Sequence, residues 1–276
     1  MGLRVGWGEL TYEVIPSWGR LPQGMEMGPV AAVAVDSRQR LYVGRRSDPS
    51  ILILDAEGAV IGALGEGRVT DPHGICIGRD DSVYVADRDR HEVVVFDSTG
   101  KLTTSFGVRD QASPEAPFNH PCGMTVSEDG TLFVADGYGN SRIHVFGADR
   151  GHLRSWGAHG PASGEFMVPH GIAIDSGGRL YVADRENDRI EVFDSLGNLL
   201  DVWGGFRGPT DVCVDSEQRI YVTDHVPRLT VLNAGGTVLL RVRSLYDTHG
   251  VCCDSKGNVF IASTAGRSVI KYARVA

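Results

Sequence analysis

Short apolar runs alternate with polar turns along the whole chain, and the alternation itself repeats. Six segments share one form: an apolar strand, a polar turn, then a second strand led by an aromatic residue. They start at Ala31, His73, Cys122, His170, Thr210 and His249. In each, an aromatic stands 11 positions further on, at Tyr42, Tyr84, Phe133, Tyr181, Tyr221 and Phe260. The starts lie 42, 49, 48, 40 and 39 residues apart, so insertions fall between units and none falls within one. A third strand follows each segment (ILILD, EVVVFD, RIHVFG, RIEVFD, RLTVLN, SVIKYA), and a fourth follows in five units. Four short antiparallel strands in a unit of this length make a propeller blade. The sixth unit has no fourth strand after it, whereas YEVIPSWG, residues 12–19, precedes the first unit and has the look of one. The pattern therefore predicts an all-β, six-bladed β-propeller, one domain over residues 1–276. Its ring is closed by an N-terminal strand that completes the last blade and removes the free edges. An open β-solenoid would leave that strand unexplained. No helical periodicity exceeds a turn or two, and Asp110–His120 and Gly157–Glu165 read as loops.

Composition narrows the function classes. A hydrophobic content of 42% supports a packed core, and 36 glycines fit a fold made of turns. The net charge of -8 argues against a nucleic-acid partner. The five cysteines contain no CxxC, and four of them sit inside apolar strands, which reads as a reduced, cytoplasmic protein without a disulfide framework. The N-terminal MGLRVGWGEL lacks the apolar region of a secretory signal, and no run is long enough to span a membrane.

The first strand of each blade lines the axis of a propeller, so the six starting residues should form a ring around the channel mouth. Histidine occupies blades two, four and six, about 120° apart in a six-fold ring. His73, His170 and His249 are thus candidate ligands of one divalent metal ion. Three imidazoles with open remaining positions suit a catalytic ion, with zinc the default. The alternative is that each histidine is held by hydrogen bonds to turns and binds no ion. The glycine after each histidine, Gly74, Gly171 and Gly250, fits close approach of backbones at the axis, and Pro72 and Pro169 stiffen the approach to two of them. A second ring, at the ends of the second strands, contains Arg46, Arg88, Tyr138, Arg185, His225 and Thr264. Arg46 and Arg185 are read as anchors for a substrate carboxylate or carbonyl. Arg88 is read as a salt-bridge partner of acids such as Asp87, Asp184, Glu186 and Asp188. Tyr138, flanked by glycines, should project into the mouth as a base or hydrogen-bond donor. His225 and Cys122 remain further candidates for the mouth, His120 a rim group, and His91, His144, His152 and His159 read as surface.

With PHG at residues 72–74 and 169–171, HG at 249–250, and Arg46, Tyr138 and Arg185, the chain resembles NHL-repeat propellers. More narrowly, it resembles the peptidyl-α-hydroxyglycine α-amidating lyase family. The resemblance implies a catalytic zinc on His73, His170 and His249, with Arg46, Arg185 and Tyr138 as active-site groups. It also implies cleavage of a carbinolamide C–N bond to an amide and glyoxylate. Gly250 stands where animal members carry a calcium-binding aspartate, so no structural calcium is expected. The expected function is a zinc-dependent lyase acting on a small carbinolamide or α-hydroxyglycine-like substrate. A metal-dependent hydrolase (lactonase, amidase or esterase type) and a non-enzymatic binding propeller are the alternatives.

Overall fold

A computed structural model describes residues 2–114 and 117–275. Five four-stranded antiparallel sheets and one five-stranded sheet account for the described strands. The sheets follow the predicted units in chain order. Blade two, for example, runs Pro72–Ile77, Val83–Asp87, Glu92–Phe96 and Leu102–Gly107. The only helical elements among the described residues are three short 3₁₀ turns. Glu115 and Ala116, within the expected loop at Asp110–His120, lie outside the described residues.

The aromatic that recurs in every unit has a structural task in three blades. Asp175 opens the turn between the first two strands of blade four. Its carboxylate accepts the backbone N–H groups of Gly177 and Arg179, the Arg179 guanidinium, and the Tyr181 hydroxyl at 2.9 Å. Asp215 and Tyr221 repeat this in blade five, and Asp36 and Tyr42 in blade one. The aspartate fastens the turn by local hydrogen bonds, and the tyrosine buries its ring while its hydroxyl stays satisfied.

The core lies between the blades. One cluster joins Tyr221, Leu229 and Val231 of blade five to Val251, Ile261 and Tyr272 of blade six. Ring closure uses Tyr12–Trp18, which pairs antiparallel with Ser268–Arg274 of the last blade, Tyr12 opposite Arg274 and Val14 opposite Tyr272. Tyr12 and Tyr272 are fully buried and meet edge to face. One element was not anticipated. Leu3–Val5 adds a fifth strand outside the closing strand. The chain reverses through Gly6, at φ 91°, where a Cβ would lie 1.9 Å from the Leu10 carbonyl oxygen.

His144 corrects the surface reading. It is fully buried on the third strand of blade three. Its Nδ1 contacts Ser155 Oγ at 2.7 Å and its Nε2 contacts Asp136 at 3.2 Å. Asp136 also accepts from the Asn119 backbone and the Asn140 side chain, so the group ties strands and a loop together.

Candidate metal centre and its mouth

The six ring positions do come together. Ala31, His73, Cys122, His170, Thr210 and His249 all line one axial cavity of about 30 Å³, room for a single water-sized guest. Local strand register aims them there. In blade two Pro72 pairs with Asp87 and Gly74 with Ala86, so His73 is the extra residue of a β-bulge. The same shift brackets His170 between Pro169 and Gly171, Thr210 between Pro209 and Asp211, and Ala31 between Val30 and Ala32. A bulge re-aims its side chain and bends the strand. Here it turns a residue that would face a neighbouring blade towards the axis.

The three imidazoles form a nearly regular triangle, with ring centroids 4.7, 4.9 and 5.0 Å apart. One ligand nitrogen from each lies within 4.8 Å of the others. Tetrahedral ligation with bonds of about 2.0–2.1 Å needs roughly 3.3 Å between nitrogens, a change within reach of small ring rotations. Backbone carbonyls set the tautomer. Nδ1 of His73 lies 3.3 Å from the Cys122 oxygen, that of His170 2.5 Å from Thr210, and that of His249 2.7 Å from Ala31. Each acceptor belongs to the next blade in the ring. A carbonyl only accepts, so Nδ1 carries the proton and the Nε2 lone pair is left for the axis. Burial is the largest cause holding all three imidazoles below their ordinary pKa. For His73 the other two histidines add to it, and His249 is lowered to about 4. Neutral imidazoles with free Nε2 atoms are the ligand form of histidine, so the donor set fits a divalent ion.

Close backbone approach underlies the glycines. A Cβ on Gly74 would lie 2.3 Å from the Cys122 oxygen, and one on Gly250 2.9 Å from the Ala31 oxygen. One on Gly171 would lie 2.5 Å from Asp211 Oδ1.

Tyr138 sits over the triangle. Its hydroxyl is 3.2 Å from His73 Nε2 and 3.1 Å from His170 Nε2, and it accepts from Arg185 Nη1 at 3.0 Å. This side chain is not loose at the mouth. The ring is held between two guanidinium groups, Arg88 at 5.2 Å and Arg185 at 5.0 Å from its centroid. Arg46 and Arg88 share a carboxylate, Asp71, at 2.8 and 2.7 Å. Arg88 also pairs with Asp89, and Arg185 with Glu186. Arg88 is thus a salt-bridge partner, as expected, though of Asp71 and Asp89. Arg46, read as a substrate anchor, is itself ion-paired. His225 is exposed and packs against Gly208, and the Thr264 hydroxyl donates to Asp247. Burial pushes the Cys122 thiol up to about 12, so it stays protonated at neutral pH while its carbonyl orients His73.

Two residues escaped sequence reasoning. Asp71 lies just before the first strand of blade two, and its arginines come from two blades. Asp211 lines the axial cavity, and its carboxylate accepts the backbone N–H groups of Val212 and Val251, both at 2.9 Å. Burial raises it to about 7. A signal for Asp211 was available: at this position four blades have glycine and one has alanine.

A closed six-bladed propeller built from NHL-type units, with a histidine triangle on its axis, is the class that fold and geometry define. NHL repeats match at residues 70–96, 118–146 and 166–193. NHL repeat-containing protein 3 of Homo sapiens is 30% identical over 295 aligned positions, covering 96% of this chain and 84% of that protein. The chain belongs to the NHL repeat-containing family. Enzymatic propellers are among its relatives. "Probable peptidyl-alpha-hydroxyglycine alpha-amidating lyase" of Caenorhabditis elegans is 34% identical over 55% of this chain and 45% of its own length. Among solved structures, a gluconolactonase from Xanthomonas campestris superposes with a TM-score of 0.72 at 15% identity, over 96% of this chain and 90% of that one. A streptogramin B lyase gives 0.67 at 13%, over 98% and 100%. At those identities the likeness is one of fold. No helix among the described residues is long and apolar enough to cross a membrane.

Proposed function

We propose that this protein is a metal-dependent lyase, with zinc as its ion, that cleaves the C–N bond of a small carbinolamide of the α-hydroxyglycine type. The observation that carries the reading is the triangle of His73, His170 and His249, each with Nδ1 on a backbone carbonyl and Nε2 left for the axis, beneath the Tyr138 hydroxyl. His73, His170 and His249 would hold a divalent ion, which would supply a Lewis acid to make a substrate hydroxyl more acidic. The chain's own groups do the rest. Tyr138, already within hydrogen-bond distance of two histidines and Arg185, is placed to relay a proton, giving its own to the departing amide nitrogen and taking the substrate hydroxyl proton in its place. As the O–H electrons form the carbonyl, the C–N bond breaks, giving an amide and an α-keto or aldehyde acid with no water consumed. Arg185, with Arg46 and Arg88 beside it, faces a substrate carboxylate. Ion pairing to Asp71, Asp89 and Glu186 holds these arginines in place before substrate arrives.

The test has two parts. Elemental analysis of the purified chain should find one divalent ion per molecule, and His170→Ala should lose both ion and turnover. An N-acyl-α-hydroxyglycine in ¹⁸O-water should then yield the amide and glyoxylate with no label in the amide. Labelled carboxylic acid would mark a hydrolase instead. Full metal occupancy in His170→Ala, or a metal-free native protein, would sink the enzymatic reading and leave a binding propeller.

A further inference from the structure

On the innermost strands of blades five and six, two thiols touch. Cys213, on the innermost strand of blade five (Pro209–Val214), and Cys253, on that of blade six (Val251–Cys253), have their Sγ atoms 3.3 Å apart. Both residues are only partly buried. Cys252 points the other way, as strand alternation requires, into the core between blades six and one. The contact lies at a thinly paired place. The innermost strand of blade six has three paired residues with its neighbour, where that of blade five has five. Just above, Asp211 of blade five takes the Val251 N–H, so the two strands already meet along the axis.

We propose that Cys213 and Cys253 are a modification site: a peroxide oxidant converts them to a disulfide that staples blade five to blade six. One thiolate attacks the peroxide oxygen, breaking the O–O bond to give a sulfenic acid and water. The second thiol displaces the hydroxyl as a second water and forms the S–S bond. Two thiols thus lose two electrons to one peroxide. The sulfurs must close by about 1.3 Å to reach bonding distance, which adjacent strands allow. Burial holds the Cys213 thiol well above its ordinary pKa, so Cys213 serves as the second, protonated thiol and Cys253 as the attacking one.

The test uses the whole chain, treated with hydrogen peroxide at pH 8.5, quenched with catalase, then unfolded and alkylated. Intact mass should show the alkylated thiols falling from the five of the sequence to three. Peptide mapping should join Cys213 to Cys253. Closing a loop of 40 residues should raise the melting temperature by about 5–10 °C, reversibly with dithiothreitol. Cys213→Ser should keep four alkylatable thiols and show no rise. Five free thiols under conditions that fully oxidise glutathione, a bridge through Cys252, or a mapped bridge with no melting shift would each overturn the proposal.

Discussion

In the metal-free chain the axis should be acid-sensitive, and His249 lets the sensitivity be measured. Its imidazole is lowered to about 4 by burial in the folded chain, against about 6.5 in an unfolded one. Between those values the unfolded state binds more protons than the folded state. The stability His249 contributes is therefore present above about pH 6.5 and lost as pH falls towards 4. Going from pH 7 to pH 5 removes about 1.8 kcal/mol through this one group. His73 and His170, lowered for the same reason, act in the same direction. Asp211 acts the other way: raised to about 7, it binds its proton more readily when folded, so its contribution grows as pH falls. The whole protein's pH profile mixes these opposed effects, and a paired variant separates them. His249→Asn keeps an amide N–H for the Ala31 carbonyl and removes the titration. Urea unfolding, followed by tryptophan fluorescence in steps from pH 7 to pH 5, should show wild type losing about 1.8 kcal/mol more than the variant. Curves parallel to within about 0.5 kcal/mol would mean that His249 is not a buried neutral imidazole, and the ligand set would fall with it.

Tyr138→Phe should lower turnover of an α-hydroxyglycine substrate by about 10²–10⁴-fold with metal content unchanged; a loss of metal instead would make the hydroxyl structural. Gly74→Ala places a Cβ 2.3 Å from the carbonyl oxygen that orients His73, so metal affinity in a chelator competition should fall by about 10-fold or more while the chain still folds. Unchanged affinity would show that the axis has slack. Tyr12→Ala removes a fully buried ring from the closing strand, and should cost about 3–5 kcal/mol in urea unfolding. A cost under about 1 kcal/mol would mean the ring does not depend on that strand.

The blades were legible because spacing in the chain and spacing in space coincide: an aromatic 11 positions after each ring residue pairs across a short turn. The histidine triangle was legible for a related reason, since alternate units of a six-fold ring must face one another at even angles. What spacing did not carry was register. The bulges at His73 and His170 insert no residue into the repeat, so the sequence reads the same with or without them, yet they decide that those side chains face the axis. The mouth was harder still, because its contacts join blades. Asp71 gains its meaning from Arg46 one blade back and Arg88 one strand on, and Tyr138 from arginines of two different blades. No periodicity within a unit encodes such pairings. Asp211 is the instructive exception. It breaks the pattern of small residues at its own ring position, and comparing the units with one another, column by column, would have marked it. In a closed repeat the unit therefore predicts the scaffold, and departures from the unit, whether three histidines or one aspartate, locate the chemistry, because small residues are what packing at a crowded axis would otherwise require.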